Sequence, residues 1–361
     1  MATRWVNSVP AWALGPRARN SKFGGGVILN GIPRVEDRLV AIMKLSKKLK
    51  LRGDEELRSS GHVLHEIKTN IGRYKKYNAS TAISYRRLVA GMRSGEYPKW
   101  VAMTAPQFGF PSAERGGMIS RFPEDRQMAM DLHIEAITWS QELEQLGLGA
   151  GISIWWPAFT ARMIDNPEEM PRSFEEAWDM MLKFWVKVLR QTGGTMWCEW
   201  KPGDPGIDYL CTIELAIKFC QAVNEELGRI AMLVNNEFAH ILLSGIRVAD
   251  GVRKTVQAGL FSRFFHANSG QMFPLSIQKL LDQGADPEHI LIGIDWDWYL
   301  GAGGIVTWKD QEEAIGLMDK AGQDVIYCEH DVNPAGLPPL EVFKWSIHAQ
   351  QKMLANVRAT A

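Results

Sequence analysis

The sequence predicts an α/β fold, a (β/α)8 TIM barrel with extra N-terminal helices, and three observations predict it. From about residue 100 onward, short apolar or β-rich runs alternate with amphipathic helical stretches, the pattern of repeated βα units. Each run ends in residues that break regular structure or carry charge, such as Pro157, Pro202, Asn268 to Gly270 and Asp295 to Gly301, and a barrel gathers its chemistry at strand C-termini. The chain has 361 residues, 46% of them hydrophobic, enough to bury one large core.

The elements follow in order. A first strand is expected near Trp5 to Leu14. Residues 30–98 are less regular, with a basic helical segment near Met43 to Arg52 and polar sequence through Tyr97. They read as a helical insertion or elaboration between the first and second strands. Seven further strands are expected at Trp100 to Ala105, Gly151 to Trp156, Thr195 to Trp200, Ile230 to Asn235, Ser262 to His266, Ile290 to Ile294 and Asp324 to Cys328. Between the second and third of these seven strands lies a helix whose Phe174, Trp178, Met181, Trp185 and Val188 form one apolar stripe, which is core packing. A helix from Leu340 to Val357 closes the chain. No repeat, low-complexity tract or Pro/Ser-rich linker divides it, so residues 1–361 are expected to form one domain.

Composition narrows the function classes. Lys+Arg and Asp+Glu both number 41, so no global field draws the chain to nucleic acid or to an anionic membrane surface. The first twenty residues hold neither a sustained apolar segment nor a stretch long enough to span a membrane, which predicts a cytoplasmic protein. Cys198, Cys211, Cys220 and Cys328 are too scattered for a disulfide framework or a CxxC zinc site. Several of the 14 tryptophans sit in WWP, WCEWKP and DWDWY. They suit an aromatic wall for a carbohydrate or an ordinary core equally well.

Four consecutive βα units each deliver one acidic residue or histidine at a strand end. Glu199 closes one strand, and period-2 geometry sends Lys201 to the same side. Glu237 follows the apolar run of the next, with His240 three residues later; His266 and Asp295 end the two after that. Adjacent strand ends converge on a barrel axis, and converging carboxylates without a cation are costly. Three carboxylates and an imidazole suit a divalent ion, Mn²⁺ first, with Mg²⁺ or Co²⁺ as alternatives.

At these residues the chain resembles the xylose isomerase-like superfamily, with sugar isomerases of the xylose and L-rhamnose isomerase kind as nearest analogues. Glu199-Trp200-Lys201-Pro202-Gly203-Asp204-Pro205-Gly206-Ile207-Asp208 is similar to the family's E-x-K-P-x-x-P-x-x-D, in which Glu binds metal and Lys contacts substrate. Asn235 to His240 resembles N-x-E-x-x-H, whose Glu is a shared metal ligand and whose His serves a second metal. His266 to Gln271 resembles a segment ending in N-G-Q, and Asp295 resembles the strand-seven aspartate ligand. The resemblance makes Trp155, Trp156 and Asn268 candidate substrate contacts. Two departures stand out. The family's strand-two histidine, which assists ring opening, has no counterpart in Val101 to Phe108, and the D-x-D pair of its second metal is replaced by Met272 to Leu275.

The resemblance implies a divalent-metal-dependent sugar isomerase interconverting aldose and ketose, a homo-oligomer (dimer or tetramer), with a small-molecule sugar or sugar derivative as its substrate. In that reading Lys201 stabilises a growing oxyanion, His240 is free to act as acid or base, and Asp297 orients it, binds substrate or caps a helix. His330 and Asp331, past the last strand, stand where Asp297 does. A metal-dependent lyase or deglycosylating enzyme is the alternative, favoured by the two departures. A non-catalytic sugar-binding barrel is the third, and Lys201 beside Glu199 counts against it.

Overall fold

The computed structural model describes residues 2–15, 31–64, 82–105, 116–155, 173–201, 209–269, 300, 306–332 and 338–360. The strands are β1 (Arg4–Pro10), β2 (Arg58–Leu64), β3 (Ala82–Ser84), β4 (Trp100–Thr104), β5 (Gly149–Trp155), β6 (Met196–Cys198), β7 (Met232–Glu237), β8 (Phe261–His266) and β9 (Val325–Glu329). All pairings are parallel, and the sheet closes because β1 pairs with both β9 and β2. Eight strands form the ring. β3 stands outside it, extending the edge of β2 beyond the point where β1 leaves it.

Two expectations change here. The second barrel strand is β2, inside the stretch read as a helical insertion. Residues 58–64, Arg-Ser-Ser-Gly-His-Val-Leu, lack the apolar alternation that announces a half-buried strand, because the ring buries their backbone on both edges. The barrel also closes without residues 290–294, since β8 pairs directly with β9 through Phe264↔Tyr327, Phe265↔Cys328 and His266↔Glu329. Ile290 to Ile294 and the residues after them, Asp295 and Asp297 included, lie outside the described residues.

The helices are α1 (Val35–Lys48), α2 (Tyr85–Arg93), α3 (Pro123–Gln145), α4 (Phe174–Thr192), α5 (Ile213–Leu227), α6 (Phe238–Leu243), α7 (Val248–Gln257), α8 (Trp308–Asp319) and α9 (Pro339–Ala359). Local chemistry sets several ends. Ser173 and Thr212 cap α4 and α5 by accepting from the backbone N–H of Glu176 and Leu215, and Gly193 and Gly228 end the same helices at φ +64°. The expected stripe of α4 is largely core: Met181, Trp185 and Val188 are buried, while Phe174 stays exposed.

Two apolar layers hold the ring. The barrel interior is filled by Val6, Ile152, Ile154, Trp197, Phe264 and Tyr327, among others. Outside, alternate residues pack against the helices, as Met232 and Val234 do. The alternation decides which side chains reach the mouth: Phe264 inward sets His266 inward, and Tyr327 inward sets Glu329 inward.

Candidate metal centre

Register brings the centre together. Glu237 of β7 pairs with His266 of β8, and His266 with Glu329 of β9, so three neighbouring strands present ionisable side chains at one level. Glu199 follows β6, where its backbone N–H bonds the Trp155 carbonyl at 2.8 Å, and Asp331 follows β9 by two residues. One donor atom from each of Glu199, Glu237, His266 and Asp331 lies within 4.8 Å of all the others.

His266 Nδ1 is the hub. It stands 3.1 Å from Glu237 Oε2, 3.5 Å from Glu199 Oε2 and 3.5 Å from Asp331 Oδ2. Ligands held at about 2.1 Å from one octahedral ion lie about 3 Å apart when adjacent, so the spacing matches a shared cation. Glu237 Oε2 also faces His240 Nδ1 at 3.2 Å, while Glu237 Oε1 accepts from the Asn268 amide at 3.0 Å.

The electrostatics point the same way. Burial, with Glu237 and Asp331 adding like charge, pushes the Glu199 carboxyl up to about 8 against the pull of His266. Desolvation works against a charged His266, but Glu199, Glu237 and Asp331 outweigh it and raise its pKa well above the usual imidazole value. Without an ion the centre holds protons that a divalent cation would replace. Three carboxylates and an imidazole are a donor set that fits such a cation.

Of the expected ligands, Glu199, Glu237 and His266 come together. Asp295 falls outside the described residues, and Asp331 stands at the fourth corner. Lys201 is 5% exposed, two residues beyond Glu199, and His240 is 1% exposed on α6.

Two of the expected substrate contacts fall within the described residues. Trp155 ends β5 on the outward face, fully buried against Trp185 and Phe219 at ring separations of 4.9 and 5.6 Å, so strand alternation assigns it to the core. Asn268 is fully buried, its oxygen accepting from the Ala239 N–H at 2.8 Å and its nitrogen donating to Glu237. These bonds tie Glu237 to the start of α6. Trp156 lies outside the described residues.

One group at the mouth has no role in the sequence reading. Glu329, 3% exposed, faces His266 Nε2 at 3.6 Å and accepts from the hydroxyls of Ser8 and Ser60. A strand-end glutamate in Tyr327-Cys328-Glu329 was a visible signal; serine hydroxyls on β1 and β2 carry none. Val101 to Thr104 belong to β4, the third strand of the ring. The actual second strand, β2, contains His62, of which the structure describes the backbone.

The closed parallel barrel is a fold that this chain shares with solved xylose isomerase-like TIM barrels. Over 100% of this chain and 97% of the other, the structure superposes on L-ribulose 3-epimerase with a TM-score of 0.57 at 10% identity. A xylose isomerase domain protein from Planctomyces limnophilus matches with a TM-score of 0.53 at 12% identity, covering 100% and 99%. A xylose isomerase-like TIM-barrel protein from Mycobacterium smegmatis, in complex with magnesium, gives 0.50 at 13%, covering 98% of each chain. No family model matches the sequence, and no curated protein matches it. The likeness is one of fold. Among the described residues no helix is long and apolar enough to cross a membrane.

Proposed function

We propose that this chain is a divalent-metal-dependent enzyme acting on a sugar or sugar-like polyol, and that it interconverts an aldose and a ketose by moving a proton or hydride between adjacent carbons. The observation that carries the proposal is the convergence of Glu199, Glu237, His266 and Asp331 on one point, with Lys201 buried two residues beyond Glu199. These four residues would hold the ion, Mn²⁺ by preference and Mg²⁺ or Co²⁺ otherwise. Bound there, it would supply a Lewis acid that polarises substrate oxygen.

The remaining work belongs to the chain. Lys201 places an ammonium where negative charge grows on a carbonyl oxygen, a stabilisation that a water-excluding site strengthens. His240, against Glu237, is positioned to hold or release a proton. Asn268 fixes the Glu237 carboxylate through one oxygen, leaving the other toward the two histidines. Asp297 and Trp156 keep their proposed roles as acid–base partner and sugar-facing ring. The lyase or deglycosylase alternative loses one of its two grounds, since β2 carries a histidine after all.

The test is metal content followed by product mass. Protein purified without chelator is analysed for metal as wild type and as Glu237→Ala, then offered candidate sugars. One equivalent of ion lost in the variant, with a product of unchanged mass, supports the isomerase. Fragmented or dehydrated products would transfer the site to lyase chemistry, and an ion-free wild type would overturn the metal centre.

A further inference from the structure

Resting on the metal-centre reading above, we propose that Glu329 is a positioning residue, held by Ser8 and Ser60, that turns the His266 ring so that Nε2–H faces Glu329 and Nδ1 faces the ion. The geometry divides the carboxylate between two tasks. Its Oε2 accepts from Ser8 Oγ at 3.2 Å and from Ser60 Oγ, and its Oε1 faces His266 Nε2 at 3.6 Å. The clustered donors Glu199, Glu237 and Asp331 all lie on the opposite ring nitrogen, Nδ1.

A neutral imidazole has one N–H and one lone pair, and the group facing the N–H decides which nitrogen can bind metal. Among the described residues His266 Nε2 is buried with no hydrogen bond within normal range, and Glu329 is the acceptor that faces it. Ser8, Ser60, Glu329 and His266 are each no more than 3% exposed, which removes water as a competing acceptor. They come from β1, β2, β9 and β8, so the arrangement exists only where the ring closes. Serine hydroxyls fix one oxygen by donation, and among the described residues the ring is the group that faces the other. A carboxylate so divided orients a ligand without joining the ligand set.

The experiment compares wild type, Glu329→Gln, Glu329→Leu and the Ser8→Ala/Ser60→Ala pair. Mn²⁺ affinity is measured by titration calorimetry, folding by circular dichroism, and the His266 ring nitrogens by ¹⁵N spectra of the Mg²⁺-loaded protein. The expected result is a loss of metal affinity of roughly 10- to 100-fold in Glu329→Leu, a smaller loss in Glu329→Gln, which keeps an acceptor oxygen, and a wild-type spectrum with the proton on Nε2.

Three results would overturn the proposal alone: Glu329→Leu binding Mn²⁺ as tightly as wild type, Glu329→Gln losing the ion as completely as Glu237→Ala, or a wild-type spectrum with the proton on Nδ1. If Glu329→Leu does not fold, the Gln variant, the serine pair and the wild-type spectrum decide it. A wild type that binds neither Mn²⁺ nor Mg²⁺ overturns the centre itself, a failure visible before any variant is made.

Discussion

The Glu199 carboxyl, raised to about 8 by burial and by neighbouring carboxylates, gives the centre a definite response to pH. At pH 7 the ion-free protein carries a proton there, and His266, raised well above its usual value, carries one as well. A cation needs the deprotonated forms, so its binding releases protons and its apparent affinity rises with pH until about pH 8 for the Glu199 contribution. Each proton released weakens binding about tenfold for every pH unit below that. Calorimetry in buffers of different ionisation enthalpy will give heats that scale with the buffer; equal heats in all buffers contradict this account. Lys201→Met leaves that affinity nearly unchanged while kcat falls about 10²- to 10³-fold, the size of losing one preorganised electrostatic group. At this scale the sequence was legible where a charged residue follows an apolar run, as for Glu199, Glu237 and His266. Asp331 was visible past the last strand but carried no sign that it joins Glu199, Glu237 and His266. Ser8 and Ser60 gave no signal, because a hydroxyl on a strand becomes functional only through what the ring places beside it.

Between elements, the strands are tuned by small irregularities. The pairing of β4 with β5 shifts between Trp100↔Gly149 and Ala102↔Ile152, and Gly151 absorbs the extra residue at φ +68°. A Cβ there would meet the Glu144 carboxylate, and an L-residue in that conformation costs about 1–2 kcal/mol before any clash. Gly151→Ala should therefore lower unfolding stability by at least about that amount; an unchanged urea midpoint would show that the bulge can relax. The Asn224 side chain on α5 similarly fixes the start of β7, accepting from the N–H of Ala231 and Met232 at 2.8 Å and donating to the Met232 carbonyl at 2.9 Å. Asn224→Ala leaves these backbone groups without partners, and a loss of about 2 kcal/mol is expected in the same assay. The βα alternation beyond residue 100 was readable because strands there are near-continuous apolar runs. β2 was not, because Arg58, Ser59, Ser60 and Gly61 satisfy the ring through backbone pairing and polar contacts. Missing one early strand lowered by one the number of each strand from Trp100 to His266, which is why a strand at 290–294 was needed to reach eight before Asp324 to Cys328.

At the scale of the whole molecule, the barrel depends on joining its first strand to its last, and a buried histidine bonds across that seam. His330, just past β9, bonds Asn7 of β1 through Nε2 at 2.8 Å and Ser346 of α9 through Nδ1 at 2.7 Å, while the Ser346 hydroxyl accepts from the Leu300 N–H at 3.2 Å. With one ring nitrogen donating to the Asn7 oxygen and the other accepting from Ser346, the neutral ring is fully satisfied. Burial pushes the His330 pKa down to about 3, whereas an unfolded histidine titrates near 6.5. The unfolded chain therefore binds this proton first as pH falls. The stability that His330 supplies is complete above about pH 6.5 and is lost progressively toward pH 3, at up to about 1.4 kcal/mol per unit. Glu199 acts in the opposite sense in the ion-free protein, because a carboxyl raised in the fold regains stability as it protonates below about 8. Comparing wild type with His330→Gln cancels that shared contribution: Gln spans a similar distance and does not titrate. Urea unfolding at pH 7, 5.5 and 4.5 should show wild type losing its advantage over His330→Gln step by step. A difference that stays constant across the three values would mean that the seam opens to water before the ring is asked to carry charge.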